Sequence, residues 1–159
     1  MQIIKDKAIV DDHWQHVAAD AETIPDGDVI LPLALWQARR AELVGRNGGI
    51  GVQLEPGDHP EQIAEDLHRF SVVACNFPSF RDGRGYSYAR LLRERYGFTG
   101  EVRAVGDVLR DQLFYMARCG FNAFEMRPDR SIEDALKAFG DFSVTYQNAA
   151  DTELPNFRR

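Results

Sequence analysis

The chain has 159 residues, 44% of them hydrophobic and 28% charged, which suits a single globular domain with a sizeable core. A net charge of −6 argues against a general nucleic-acid coat or a membrane-surface protein, and no apolar run approaches the roughly 18 residues of a membrane span. Cys75 and Cys119 form no CxxC pair, which excludes a conventional all-cysteine iron–sulfur or zinc site, and with no leader-like start the expected location is the cytoplasm.

Residues 1–10 read as two short β-prone pieces around Lys5-Asp6-Lys7, a small hairpin. Asp11-Asp12-His13-Trp14 and a polar stretch with the turn Pro25-Asp26-Gly27 follow, so residues 1–28 are expected to form a lid or edge segment. From Val29 the pattern repeats. Residues 29–33 suit a strand, 35–44 a helix, and 50–54 a strand. Asp58 is placed to cap the next helix, with Pro60 in its first turn and Glu61 as capping partner. Val72-Val-Ala-Cys75 is a short, non-alternating apolar run, as expected of a strand buried on both faces. A helix precedes Gly97, and residues 101–105 suit a strand. Leu109, Leu113, Met116 and Ala117 then form a helical stripe with Asp107 able to cap it. Residues 121–126 suit a strand, Ser131 opens a last helix, and residues 142–146 read as a final strand. Residues 148–159 are polar and expected to form a loose tail, leaving 29–147 as the α/β domain.

Alternation of this kind requires a mainly parallel sheet of five to six βα units covered by helices. Two forms fit: an open doubly wound sheet, or a partial TIM-barrel-like arrangement with polar turns clustered at one face, the latter slightly preferred. A half-barrel exposes sheet edges, so a homodimer is a further expectation.

The carboxyl end of the 72–75 strand opens into a Gly- and Arg-rich loop before a helix, the place where parallel α/β proteins usually bind ligands. Asn76, Ser79, Arg81, Arg84, Arg90, Arg93 and Arg110 supply donors suited to sulfate, sulfite, phosphate or carboxylate. Gly83 and Gly85 allow close approach of backbone N–H groups, or simply make a tight turn. From Arg81 to Arg110 seven arginines face four acids, a local balance of +3 in an acidic chain that points to a small anion or an acidic partner. Asp107 and Asp111 are candidate general bases or partners for those arginines, and Cys75 is a candidate nucleophile or a packing residue. Gly83-x-Gly85-x-x-Tyr88 lacks the third glycine of a dinucleotide fingerprint, and the four histidines show no metal spacing.

Three segments, Asn76-Phe-Pro-Ser-Phe-Arg-Asp-Gly-Arg-Gly-Tyr-Ser87, Glu101-Val-Arg-Ala-Val-Gly-Asp-Val-Leu-Arg-Asp-Gln-Leu113 and Cys119-Gly-Phe-Asn-Ala-Phe124, resemble a bacterial domain-of-unknown-function family, number 934. Its members are often described as probable oxidoreductases of sulfite reduction. The resemblance implies a cytoplasmic role near assimilatory sulfate reduction, with sulfite reductase as a partner. The chain has neither cluster cysteines nor a sirohaem-ligand pattern, so the cofactor stays unknown and a redox role calls for a borrowed one. Three functions therefore stand: an accessory protein binding an anion or the reductase, an enzyme acting on a small phosphorylated or sulfated metabolite, or a non-catalytic interaction module.

Overall fold

A computed structural model describes residues 1–79 and 81–146, with side chains as far as Phe139. Strands β1 (Gln2–Lys5) and β2 (Ala8–Asp11) form the hairpin. Its turn places Asp6 and Lys7 at φ of 52° and 64°, the left-handed pair whose twist matches flanking strands. Then come β3 (Gln15–His16), β4 (Val29–Pro32), α1 (Leu33–Ala38), α2 (Arg40–Leu43), β5 (Ile50–Leu54), a 3₁₀ segment (Pro60–Arg69) and β6 (Val72–Phe77). Helix α3 (Arg84–Arg90) runs on through a wider π turn (Leu91–Arg95) to β7 (Glu101–Gly106). A 3₁₀ turn (Arg110–Gln112), α4 (Leu113–Cys119), β8 (Ala123–Phe124) and α5 (Ile132–Tyr146) complete the described chain.

The eight strands form one sheet in the order β2-β1-β8-β7-β6-β5-β4-β3, parallel from β3 to β8, with the hairpin added antiparallel at β8. Alternation along β7 shows how the two faces divide. Val102 and Ala104 join the main core with residues from every α-helix, whereas Val105 belongs to a separate small cluster with Ile30, Val72 and Ala74 that contains no helical residue. Helices thus cover one face only, which excludes the doubly wound form. The sheet is mixed, with a mostly parallel body, and curls into a half-barrel.

The chain itself forces that curl. Laid flat, eight strands would hold β2 and β3 about 34 Å apart, at about 4.8 Å per spacing. Only residues 12–14 join those two edge strands, and such a link reaches at most about 14 Å. The same link runs along the concave face with alternating side chains. Asp12 meets Arg103, Trp14 packs on the Ile30, Val72, Ala74 and Val105 cluster, and His16 Nε2 lies 2.7 Å from Glu125 Oε2. Gly49 makes room for the indole, since a Cβ there would stand 2.8 Å from the Trp14 ring.

At the centre is Arg103, wholly buried. Its Nη1 and Nη2 donate to the two Asp12 oxygens at 2.9 Å each, Nε donates to Glu101 Oε2 at 2.7 Å, and Nη1 also donates to Glu125 Oε2 at 2.7 Å. Lys5 adds a second cation to Glu101 at 3.2 Å. Burial pushes the Asp12 and Glu125 carboxyls up. Arg103 outweighs this at Asp12, and His16 with Arg103 outweighs it at Glu125, so both end below their ordinary values.

Two expectations change. Residues 142–146 continue α5 as helix, because the stripe of Ile132, Ala135, Leu136 and Phe139 propagates beyond the β-prone tail of the segment. The 3₁₀ segment is capped by His59, whose side chain accepts from Glu61 N while Gln62 reaches back to His59 N. Asp58 instead accepts from Glu55 N at 2.8 Å. Residues 148–159, read as a tail, lie outside the described residues.

Replacing Arg103 leaves buried carboxylates unpaired, so Arg103→Met is expected to lower unfolding stability by about 3–5 kcal/mol in urea titrations; a change within about 0.5 kcal/mol would contradict the network's role. Because the Asp12 and Glu125 pKa values are depressed on folding, their contribution is complete above the unfolded carboxylate range of about 4 and is lost as pH falls through the folded values. Unfolding free energy measured from pH 6 to pH 3 should therefore fall more steeply in the native protein than in Arg103→Met.

Candidate functional site

The carboxyl ends of β5, β6, β7 and β8 gather polar side chains. Gln53 and Asn76 lie on the concave face, and each donates to one oxygen of Glu55: Gln53 Nε2 to Oε2 at 2.8 Å and Asn76 Nδ2 to Oε1 at 2.7 Å. Next to them Gly106 adopts φ +92°, and a Cβ there would collide with Asn76 Oδ1 and stand 2.5 Å from the Phe77 carbonyl oxygen. Only glycine lets β7 close over β6 in this way, and Asp107 N then donates to Phe77 O at 2.7 Å.

The carboxylate of Asp107 turns to a residue beyond β8. Arg127 Nη1 donates to Asp107 Oδ1 at 2.8 Å, while Nε and Nη2 grip the two oxygens of Asp129 at 3.1 and 3.0 Å. These bonds, Asp107's first, hold the Arg127 guanidinium above its ordinary pKa. Asn76, Phe77, Pro78, Gly106, Asp107 and Arg127 line an open cleft of about 360 Å³. Among the described residues, no group of three or more His, Cys, Asp or Glu is arranged to hold a metal, and no helix is long and apolar enough to cross a membrane.

Of the residues marked out in the sequence, Asn76 and Asp107 meet in this cleft, with Ser79 and Arg81 in the adjoining loop and Arg84 at the start of α3. There Ser79 Oγ accepts from Arg81 N at 3.3 Å, and Arg84 forks onto Asp82 through Nε at 3.1 Å and Nη2 at 2.7 Å. A Cβ at Gly83 would meet only the Tyr86 ring, at 4.0 Å, whereas Gly85 seats α3 tightly on β6, its missing Cβ lying 2.5 Å from the Phe77 ring. The other arginines go elsewhere. Arg93 lies at the opposite, amino end of the strands, donating to the carbonyls of Gly120, Phe98 and Gly100 at 2.8–2.9 Å. Burial pulls its pKa down to about 10, so it stays charged at neutral pH. Arg90 lies 4.0 Å from Glu94 one turn along its own helix, and Tyr115 and Cys119 of α4 raise its pKa. Arg110 ties its 3₁₀ turn to Asp134 of α5 at 3.1 Å. Asp111 is exposed and is not part of the cleft lining. Cys75 sits in the main core, where burial pushes its thiol up to about 12 and leaves no thiolate at neutral pH.

A family model of bacterial proteins of unknown function, DUF934, matches residues 51–157. The chain belongs to the DUF934 family. No curated protein and no solved structure matches it. Every cleft residue of this family member lies within the matched segment, whereas the link at residues 12–14 precedes it.

Sequence reasoning missed two site residues, Glu55 and Arg127. A signal for both existed, since each follows closely on the apolar run of a strand, as Asp107 does. Two outcomes follow for this family member. Gly106→Ala, strained by both its φ and the contact with Phe77 O, is expected to cost roughly 1–3 kcal/mol in urea unfolding. Cys75 should resist iodoacetamide in the native protein and react only after denaturation; rapid native labelling at Cys75, read by mass spectrometry, would return it to the site.

Proposed function

We propose that this DUF934 protein is an accessory factor of bacterial sulfite and sulfate assimilation that binds a small oxyanion in the cleft at the carboxyl ends of β6 to β8. The observation that carries the binding reading is the fork of Arg127. Its Nε and Nη2 hold Asp129 as they would hold a bidentate oxyanion, and the Asp129 side chain is 60% exposed. Such a screened pair contributes little, so an oxyanion can replace Asp129 without disturbing the Asp107 contact on Nη1. The position at the carboxyl ends of parallel strands and the cleft volume fit small-ligand binding. The sulfur-assimilation part of the reading comes from the resemblance of residues 76–87, 101–113 and 119–124, and with it go a cytoplasmic location and sulfite reductase as the protein partner.

A second reading, an enzyme acting on a small phosphorylated or sulfated metabolite, is favoured by the place of Asp107 in the same cleft, within reach of a ligand on Arg127. It expects turnover that disappears in Asp107→Asn while binding persists.

Thermal-shift and calorimetric titrations with sulfite and phosphate test the first reading. A ligand at about one hundred times Kd adds roughly 2.7 kcal/mol, a rise of several degrees in Tm for a domain of this size. Arg127→Gln is expected to weaken binding at least about tenfold with the fold intact, given a charge-assisted bidentate contact. Binding unchanged in Arg127→Gln but lost in Arg84→Gln would move the site to the preceding loop.

A further inference from the structure

We propose that Asp107 and Asn76 make the cleft selective for an oxyanion that still carries a proton, such as hydrogen phosphate or hydrogen sulfite, over fully ionised sulfate; the inference rests on the oxyanion reading of the cleft. The selectivity follows from which polar atoms face the ligand position. Arg127 offers donors only, and its fork toward Asp129 lies on the edge of the guanidinium next to the one that holds Asp107 Oδ1. An oxyanion seated on that fork has the Asp107 carboxylate as its immediate neighbour, in a side chain that is 18% exposed.

Asn76 adds a second acceptor. Glu55 takes a hydrogen from Gln53 on one oxygen and from Asn76 Nδ2 on the other, which fixes the amide with its nitrogen toward Glu55. The Asn76 Oδ1 atom is thereby turned to the Gly106 wall of the cleft, against the spot where a Cβ would stand. A ligand on Arg127 thus meets one cation with the Asp107 carboxylate beside it, in a cleft whose wall carries the Asn76 carbonyl as a second acceptor. Sulfate at neutral pH has no hydrogen to give, so its oxygens oppose the carboxylate and the amide carbonyl. Hydrogen phosphate or hydrogen sulfite places its O–H between ligand and carboxylate and turns that repulsion into a hydrogen bond. The substrate class is therefore a protonated oxyanion, and Asp107 is its specificity-determining residue.

Calorimetric titration of the full chain with inorganic phosphate, sulfite and sulfate at pH 7 tests this. Phosphate and sulfite are expected to bind at least about tenfold more tightly than sulfate, a modest ratio for a polar mismatch because the cleft is open to solvent. Sulfite affinity should fall as pH rises and the anion loses its last proton. In Asp107→Asn, whose amide also donates, sulfate should rise to parity with phosphate; Asp107→Ser serves the same purpose if asparagine disturbs the loop. Equal binding of sulfate and phosphate by the native protein, or a ratio unchanged by both variants, overturns the selectivity and leaves the cleft an oxyanion site. Binding of none of the three overturns both readings.

Discussion

The fold depends on one guanidinium. Arg103 takes its carboxylate partners from three places: Glu101 on its own strand, Glu125 just past β8, and Asp12 from the link that joins the two sheet edges. No flat sheet brings these together. A parallel strand buried on both faces is ordinarily apolar throughout, because an unpaired charge in that position costs several kcal/mol. The cost is met here by surrounding the arginine with acceptors and by bending the sheet until Asp12 reaches it and His16 reaches Glu125. Each acid in turn has a further partner besides Arg103, Lys5 on Glu101 and His16 on Glu125, or a bidentate grip upon it, as at Asp12. Curvature, the inward-facing link and the polar concave face are one arrangement seen from three sides.

The cleft inherits its geometry from that network. Glu125 is held by Arg103 and His16, and its backbone N–H donates to Ala104 O at 2.9 Å. Two residues later Arg127 leaves the sheet already aimed at the end of β7. On the other side Gly106 folds Asp107 over β6, so carboxylate and guanidinium approach from adjacent strands and meet at 2.8 Å. The ion pair joining the two strand ends is thus positioned by backbone pinned from below, not by flexible loops finding one another.

Much of the scaffold was legible because each local signal had a local cause. Strands β4 to β7 announced themselves as apolar runs between turns, the hairpin by the polar stretch Lys5-Asp6-Lys7, and the carboxyl-end rule pointed to the loop after β6, where Asn76 lines the cleft beside Asp107. What escaped needed long-range geometry. Arg93 stands in an Arg-rich helix, and nothing local says that it caps carbonyls before β7 and β8 at the far end of the sheet. Arg103 did leave a trace: Glu101-Val-Arg103-Ala-Val105 alternates charged and apolar residues where a doubly buried strand should not. Residues 142–146 misled for the opposite reason, since Phe, Val, Thr and Tyr favour strands singly but here extend a helix already nucleated by its apolar stripe.

The excess of arginine between residues 81 and 110 shows why a charge count along a chain does not describe a surface. Strand alternation sent Arg103 to the concave interior, the helix α3 phase set Arg90 against α4 and Arg93 beneath the strands, and the 3₁₀ turn gave Arg110 to α5. Of that run only Arg81 and Arg84 remain beside the cleft, and Arg84 is matched by Asp82. The guanidinium that lines the cleft comes from outside the run, after β8. Parallel strands sort side chains by end as well as by face: Arg93 at the amino ends ties down carbonyls, and Arg127 at the carboxyl ends pairs with Asp107 and Asp129. Backbone direction thus sets Asn76, Asp107 and Arg127 together at one end of the sheet, lining one cleft.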